Sequence, residues 1–138
     1  MIKITLKNGK EYEVLDSTLV YPSGMSGVRN KMEIHLDESS MTLTELEKIF
    51  TDEKATDEIR VTKTREDKTV EYDNMYYHYC IASSIGKKII SSVSNSTGEV
   101  TEKMCLSVVL EQRTYIEQKL YELGVSWVRP TERMTNHV

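Results

Sequence analysis

The chain has no apolar run of the 18 or more residues that a membrane span needs, no block of five like charges and no tract of low complexity. The first absence leads to the expectation that no segment of this sequence spans a membrane as a helix. The second excludes a polybasic membrane tether and the basic stripe that follows a phosphate backbone, since 18 basic residues stand against 22 acidic ones for a formal charge of −4. Arg60, Lys63 and Arg65 alternate with apolar or hydroxyl residues and read as the wet face of a strand. Nucleic acid is therefore not expected as the main partner. Cysteine is scarce as well: Cys80 and Cys105 both lie in apolar runs, where a free thiol packs as a small hydrophobe. The N-terminus shows no signal-peptide core, so synthesis in a reducing cytoplasm and two reduced thiols are expected, with a disulfide as the alternative.

Catalytic and metal signatures are missing too. His78 and Cys80 stand two apart on an expected strand and would share a face, but two ligands do not make a site. His35 and Cys105 lie elsewhere, and no CxxC or HxxxH spacing appears. A cysteine nucleophile needs exposure and a stabilised thiolate, whereas both cysteines sit among Tyr, Ile, Leu and Val. No carboxylate falls in an apolar run that would raise its pKa for acid–base work. Gly24-Met25-Ser26-Gly27 lacks the strand-to-helix setting and the lysine of a phosphate-binding loop. The expectation is a protein that is not an enzyme and carries no cofactor or metal.

What is present is strand alternation. Ile2 to Leu6 and Glu11 to Val14 flank Asn8-Gly9, which reads as a hairpin closed by a two-residue type I′ turn, with Ile2, Ile4 and Leu6 on one face. Residues 21–27 form a loop, and Lys31 to Leu36 resumes as the third strand. At 42–50 the period changes: Thr42 with Glu45, or Thr44 with Glu47, has capping-box spacing, and Leu43, Leu46, Ile49 and Phe50 share a helical face. Strands are expected at 58–64, 69–72, 75–82 and 103–110, with loops at 65–68 and 91–98. A helix over 111–123 carries Ile116, Leu120 and Leu123, which either pack on the chain's own sheet or form a seam with a partner helix. The length fits one domain. The fold class expected is α+β, mainly antiparallel sheet arranged as a sandwich or partly open barrel, over residues 1–124. An arm follows at 125–138, with Trp127 and Val128 as its apolar anchor.

The compositional oddity is tyrosine: eight against one Phe and one Trp, four of them at Tyr72, Tyr76, Tyr77 and Tyr79. A tyrosine ring buries large area while its hydroxyl finds polar partners, so a strand with Tyr on both faces can give one face to the core and the other to a neighbour. A half-exposed sheet face is the alternative use. The candidate protein interface is Tyr76, Tyr77, Tyr79, Tyr115, Trp127 and Val128.

The hairpin Lys7-Asn8-Gly9-Lys10, the segment Met41-Thr42-Leu43-Thr44-Glu45-Leu46-Glu47-Lys48-Ile49-Phe50 and the passage Ser107-Val108-Val109-Leu110-Glu111-Gln112 resemble small structural proteins of bacteriophages that infect Gram-positive bacteria. The likeness covers roughly residues 1 to 123 and transfers no catalytic residue, because such proteins act by assembly. It implies a tail, baseplate or neck component, made in the host cytoplasm and present in the virion in repeated copies as a homo-oligomer or with other particle subunits. Two further classes stand beside it: a phage- or plasmid-encoded inhibitor of a host defence protein, and a small hydrolase.

Overall fold

The computed structural model describes residues 1–25 and 27–125. The expected hairpin forms from β1 (Ile2–Leu6) and β2 (Glu11–Val14), paired antiparallel with Ile4 opposite Tyr12. Its turn differs from the two-residue form. Gly9 N–H donates to Leu6 O at 2.9 Å and Leu6 N–H to Lys10 O at 2.9 Å, so three residues, Lys7 to Gly9, close the loop. Only Gly9 takes positive φ, at +85°, while the Asn8 side chain accepts from Lys10 N–H at 3.0 Å. Asn8 thus braces the turn from a right-handed conformation, and the left-handed position falls to glycine alone.

β1 also pairs with β5 (Glu58–Thr64), and β5 with β6 (Val70–Tyr77), giving a four-stranded antiparallel sheet of order β2-β1-β5-β6. The second sheet has order β3-β4-β8-β7, from β3 (Leu19–Tyr21), β4 (Lys31–Asp37), β7 (Ile81–Val93) and β8 (Val100–Glu111). The fold of the described residues is therefore α+β, with two antiparallel sheets of four strands each and no closed barrel among them. Alternation decides which residues face inward. Ile2, Ile4, Leu6, Ile59 and Val61 of the first sheet meet Met32, Ile34, Leu36, Leu106, Val108 and Leu110 of the second in one core.

Two helices close one side of that core. α1 (Leu43–Phe50) starts at Thr42, whose side chain accepts from Glu45 N–H at 3.2 Å, and it buries Leu46 and Phe50. Leu43, expected on the buried face, is exposed. α2 (Glu53–Thr56), which the periodicity did not announce, is capped by Asp52 and buries Ala55 and Thr56. α3 (Tyr115–Glu122) begins four residues later than expected, because β8 keeps Glu111 and Thr114 with Glu117 forms the capping box that starts the helix. α3 has no buried residue, and Ile116 and Leu123 lie exposed, so its apolar stripe does not pack on the chain's own sheet.

The largest departure concerns 75–82. These residues alternate as one strand would, yet β6 stops at Tyr77 and His78 adopts φ +68°. That single left-handed residue carries the chain from the first sheet to the second. It is held by His78 N–H to Asp57 O at 2.8 Å and by Arg113 N–H to His78 O at 2.9 Å. Met75, Tyr77, Tyr79 and Ile81 consequently do not share a face, and neither do His78 and Cys80 on a strand. β7 and β8 run further than expected, through Val93 and from Val100, so the loop at their tip is shorter than 91–98 suggested. β3, Leu19–Tyr21, was not expected and ends where the loop expected at 21–27 begins, so the strand at 31–36 is the fourth and not the third. The arm beyond Val125 lies outside the described residues.

Leu110→Ala is expected to lower stability by about 2–5 kcal/mol, the usual range for emptying a fully buried leucine site. Met104→Ala on the same strand should cost under about 0.5 kcal/mol, as surface changes do. Denaturant midpoints compared at constant m-value separate the two.

Candidate functional site

The β7–β8 pair carries four exposed apolar residues, Ile89, Val93, Val100 and Met104, and β6 carries four more, Val70, Tyr72, Met75 and Tyr77. Its ladder is continuous from Ile81 opposite Glu111 to Val93 opposite Val100, with one bulge between Ala82 and Ser84. β4 accompanies β8 only as far as Cys105, which lies opposite Asp37. Beyond that point the two strands continue without a third. Because side chains alternate, the face that supplies Val108 and Leu106 to the core next presents Met104, then Glu102, then Val100, and on β7 it presents Ile89, Ser91 and Val93. Exposure rises along this line from 1 % at Leu106 to 38 % at Met104, 54 % at Ile89 and 61 % at both Val93 and Val100. A core-type surface runs out from under its cover.

The base of this ribbon is pinned by charge. Lys87 Nζ meets Glu38 Oε1 at 3.1 Å, Lys103 Nζ meets Asp37 Oδ2 at 3.1 Å, and Lys88 Nζ reaches Glu33 Oε1 at 2.8 Å. Glu33 is buried on the outer face of β4. Besides Lys88 it receives the Tyr21 hydroxyl at 3.1 Å and stands 3.1 Å from His35 Nε2, while His35 Nδ1 shares a hydrogen bond of 2.8 Å with Ser17 Oγ. Burial pushes the Glu33 carboxyl up, but the bonds from Lys88, His35 and Tyr21 outweigh it and bring it down to about 2. At neutral pH Glu33 is a fixed anion that anchors Lys88, and it does not exchange a proton.

The expected interface tyrosines separate. Tyr79 is buried in the core and stacks edge-on against Tyr76 at 6.1 Å between centroids, so it is a packing residue and not part of an exposed face. Tyr76 is half-buried, bonded through its hydroxyl to Tyr72, and lines a groove of about 350 Å³ with Ile2, Leu19, Val20 and Met32. Tyr77 is exposed at the end of β6, where its carbonyl accepts from Gln112 Nε2 at 2.9 Å. Tyr115 is exposed on α3, with Lys119 Nζ 5.5 Å from its ring centre. Trp127 and Val128 lie outside the described residues. The structure thus brings Tyr76 and Tyr79 together and leaves Tyr77 and Tyr115 exposed on β6 and α3. The ribbon residues Ile89, Val93, Val100 and Met104 were not among the expected interface. Their signal was present in the sequence as apolar residues at even spacing on both sides of the polar tip.

At the other end of the sandwich, around His78, polar groups gather. His78 Nδ1 is 2.8 Å from Asp57 Oδ1, and the Cys80 thiol donates to Glu53 O at 3.3 Å. Burial pushes the Cys80 thiol up, so it stays protonated, which is the wrong direction for a nucleophile. Burial also raises the Asp57 carboxyl, but His78 and Lys7 outweigh it and hold it below its ordinary value. Arg113 stacks on Tyr121 with its guanidinium carbon 3.7 Å from the ring centre, and Arg29 Nε bonds Glu117 Oε1 at 3.0 Å. These contacts fasten α3 by charge where its apolar residues do not. Among the described residues no group of three His, Cys, Asp or Glu is arranged to hold a metal ion, and no helix is long and apolar enough to cross a membrane. Comparison with family models, with curated proteins and with solved structures finds no match.

Glu117, held by Arg29, is lowered to about 2, like Glu33. A carboxylate whose folded pKa is depressed adds stability that is complete above its unfolded value near 4.5 and is lost as pH falls toward about 2. Unfolding free energy is expected to drop steadily between about pH 5 and pH 2. Glu33→Gln should flatten that slope in chemical denaturation measured across the range, while lowering stability at neutral pH because Lys88 and His35 lose their anion.

Proposed function

We propose that this chain is an assembly subunit that works through protein–protein contacts, a tail-, baseplate- or neck-type component of a bacteriophage particle. One observation carries the assembly reading: a two-stranded ribbon extends past its core with Ile89, Val93, Val100 and Met104 uncovered. A hairpin standing alone in water is at best marginally stable, and apolar residues repeated along one of its faces have no use in an isolated monomer. Contact with a neighbour gives them one. The virion class comes from the resemblance at residues 7–10, 41–50 and 107–112. The exposed Ile116 and Leu123 of α3, with Tyr115, offer a second surface, as a subunit with two neighbours requires.

The contacts fit a structural protein more than a binder of small molecules. The carboxylates best placed to act, Glu33 and Glu117, are locked as anions in ion pairs. Exposed apolar pairs on an edge ribbon instead suit another sheet or another strand.

Replacing residues 89–104 with Asn-Gly joins Lys88 to Cys105, a paired position, by a two-residue turn. The shortened chain is expected to keep its unfolding free energy within about 1 kcal/mol, since it removes mainly exposed groups, the half-buried Ile90 and Ser94 and one exposed ion pair, and no core residue. It should fail to associate in light scattering at high concentration and to enter particles. Association equal to that of the complete chain would overturn the reading.

A further inference from the structure

We infer that the partner of the ribbon is a second copy of this chain, joined by antiparallel pairing of β7 with β7 about a two-fold axis at Ser91. This rests on the assembly reading above and names the contact. β7 is an edge strand along its whole length, since the sheet order ends β8-β7. Edges are usually guarded by charge or proline. Here Lys87 and Lys88 guard the inner part, while Ile89-Ile90-Ser91-Ser92-Val93 is an uncharged edge without proline.

The register follows from faces and charges. Two copies keep their apolar faces on the same side only if residues of like parity oppose each other, which requires an axis through a residue and not between two. An axis at Ser91 places Ile89 opposite Val93 of the second copy and Ile90 opposite Ser92. Met104 and Ile89 of one chain then continue into Val93 and Val100 of the other, giving two apolar rows across four strands on either side of a polar row of Ser91 and Glu102. An axis one residue earlier or later opposes Ile89 to Ser91 or to the tip loop and breaks both rows.

Charge selects the same arrangement. The ribbon is basic at its base, with Lys87, Lys88 and Lys103, and acidic further out at Glu99 and Glu102. The axis at Ser91 sets Lys88 opposite Ser94 of the second copy, and Glu99 of that copy lies beside its own Ser94, where Glu99 O accepts from Ser94 N–H at 2.9 Å. Basic base meets acidic tip twice. A register centred on Lys87 or Lys88 would oppose lysine to lysine, which is unfavourable for directly opposed like charges.

The axis residue provides the test. Opposed residues in an antiparallel pair have Cα atoms about 4.5 or 5.5 Å apart, both inside the range a disulfide spans. Ser91→Cys in the full chain is expected to form a covalent dimer under mild oxidation, whereas Ser84→Cys on the same strand should not, and the native Cys80 and Cys105 are buried. Ser91→Lys opposes two charges at the axis and should weaken association at least tenfold in sedimentation equilibrium, with thermal unfolding of the monomer unchanged. A Ser91→Cys chain that stays uncrosslinked, or a Ser91→Lys chain that associates like the natural one, overturns the pairing. If the ribbon-shortened chain has then lost association, the assembly reading stands and the ribbon meets a different edge. If it too still associates, both fall.

Discussion

The hydrophobic core ends at Leu106, while the ladder between β7 and β8 runs on to Val100. The other features of the molecule sort around that mismatch. Inside the limit, the two sheets and α1 share one core, with Ile4, Met32, Ile34, Phe50 and Val108 out of contact with solvent. Outside it, the same alternation continues with nothing against it. Backbone pairing alone fixes few side chains, and the free energy of ordering such a ribbon must be met by contacts made elsewhere.

Polar contacts locate the transition between the two regions. Lys87 and Lys103 reach back to Glu38 and Asp37 at the outer end of β4, and Lys88 reaches Glu33 further in. Glu33 is the deepest of these partners, and its network through His35 to Ser17 ties the ribbon base to the segment leading into β3. The ribbon is therefore oriented with respect to the sandwich, although it is not covered by it. The opposite end is built differently: His78 turns the chain between sheets, and Arg113, Asp57 and Glu53 form a charged seat under α3.

Much of this was legible in the residues. The period-two pattern at 2–6, 31–36, 58–64 and 103–110 placed four strands, and Thr42 announced the start of α1, because both signals are local. The break at His78 was not legible: the alternation from Met75 to Ala82 is uninterrupted, and the left-handed conformation is held by residues distant in sequence, Asp57 on the His78 N–H and ring and Arg113 on its carbonyl. For the same reason Tyr79, assigned to an interface from composition, belongs to the core. The helix near 111–123 was found but its surroundings were not, since Ile116 and Leu123 have the spacing of a buried stripe and lie exposed. Periodicity reports which residues share a face, not what that face meets.

The measurement that tests the central claim most directly is hydrogen–deuterium exchange of the natural chain across a wide range of concentrations. Amide protection in residues 89–93 and 100–104 is expected to be low in dilute solution and to rise steeply as the chains associate, while β1, β4 and β5 stay protected throughout. Protection of the ribbon that does not change with concentration, in chains shown to associate, would contradict the account.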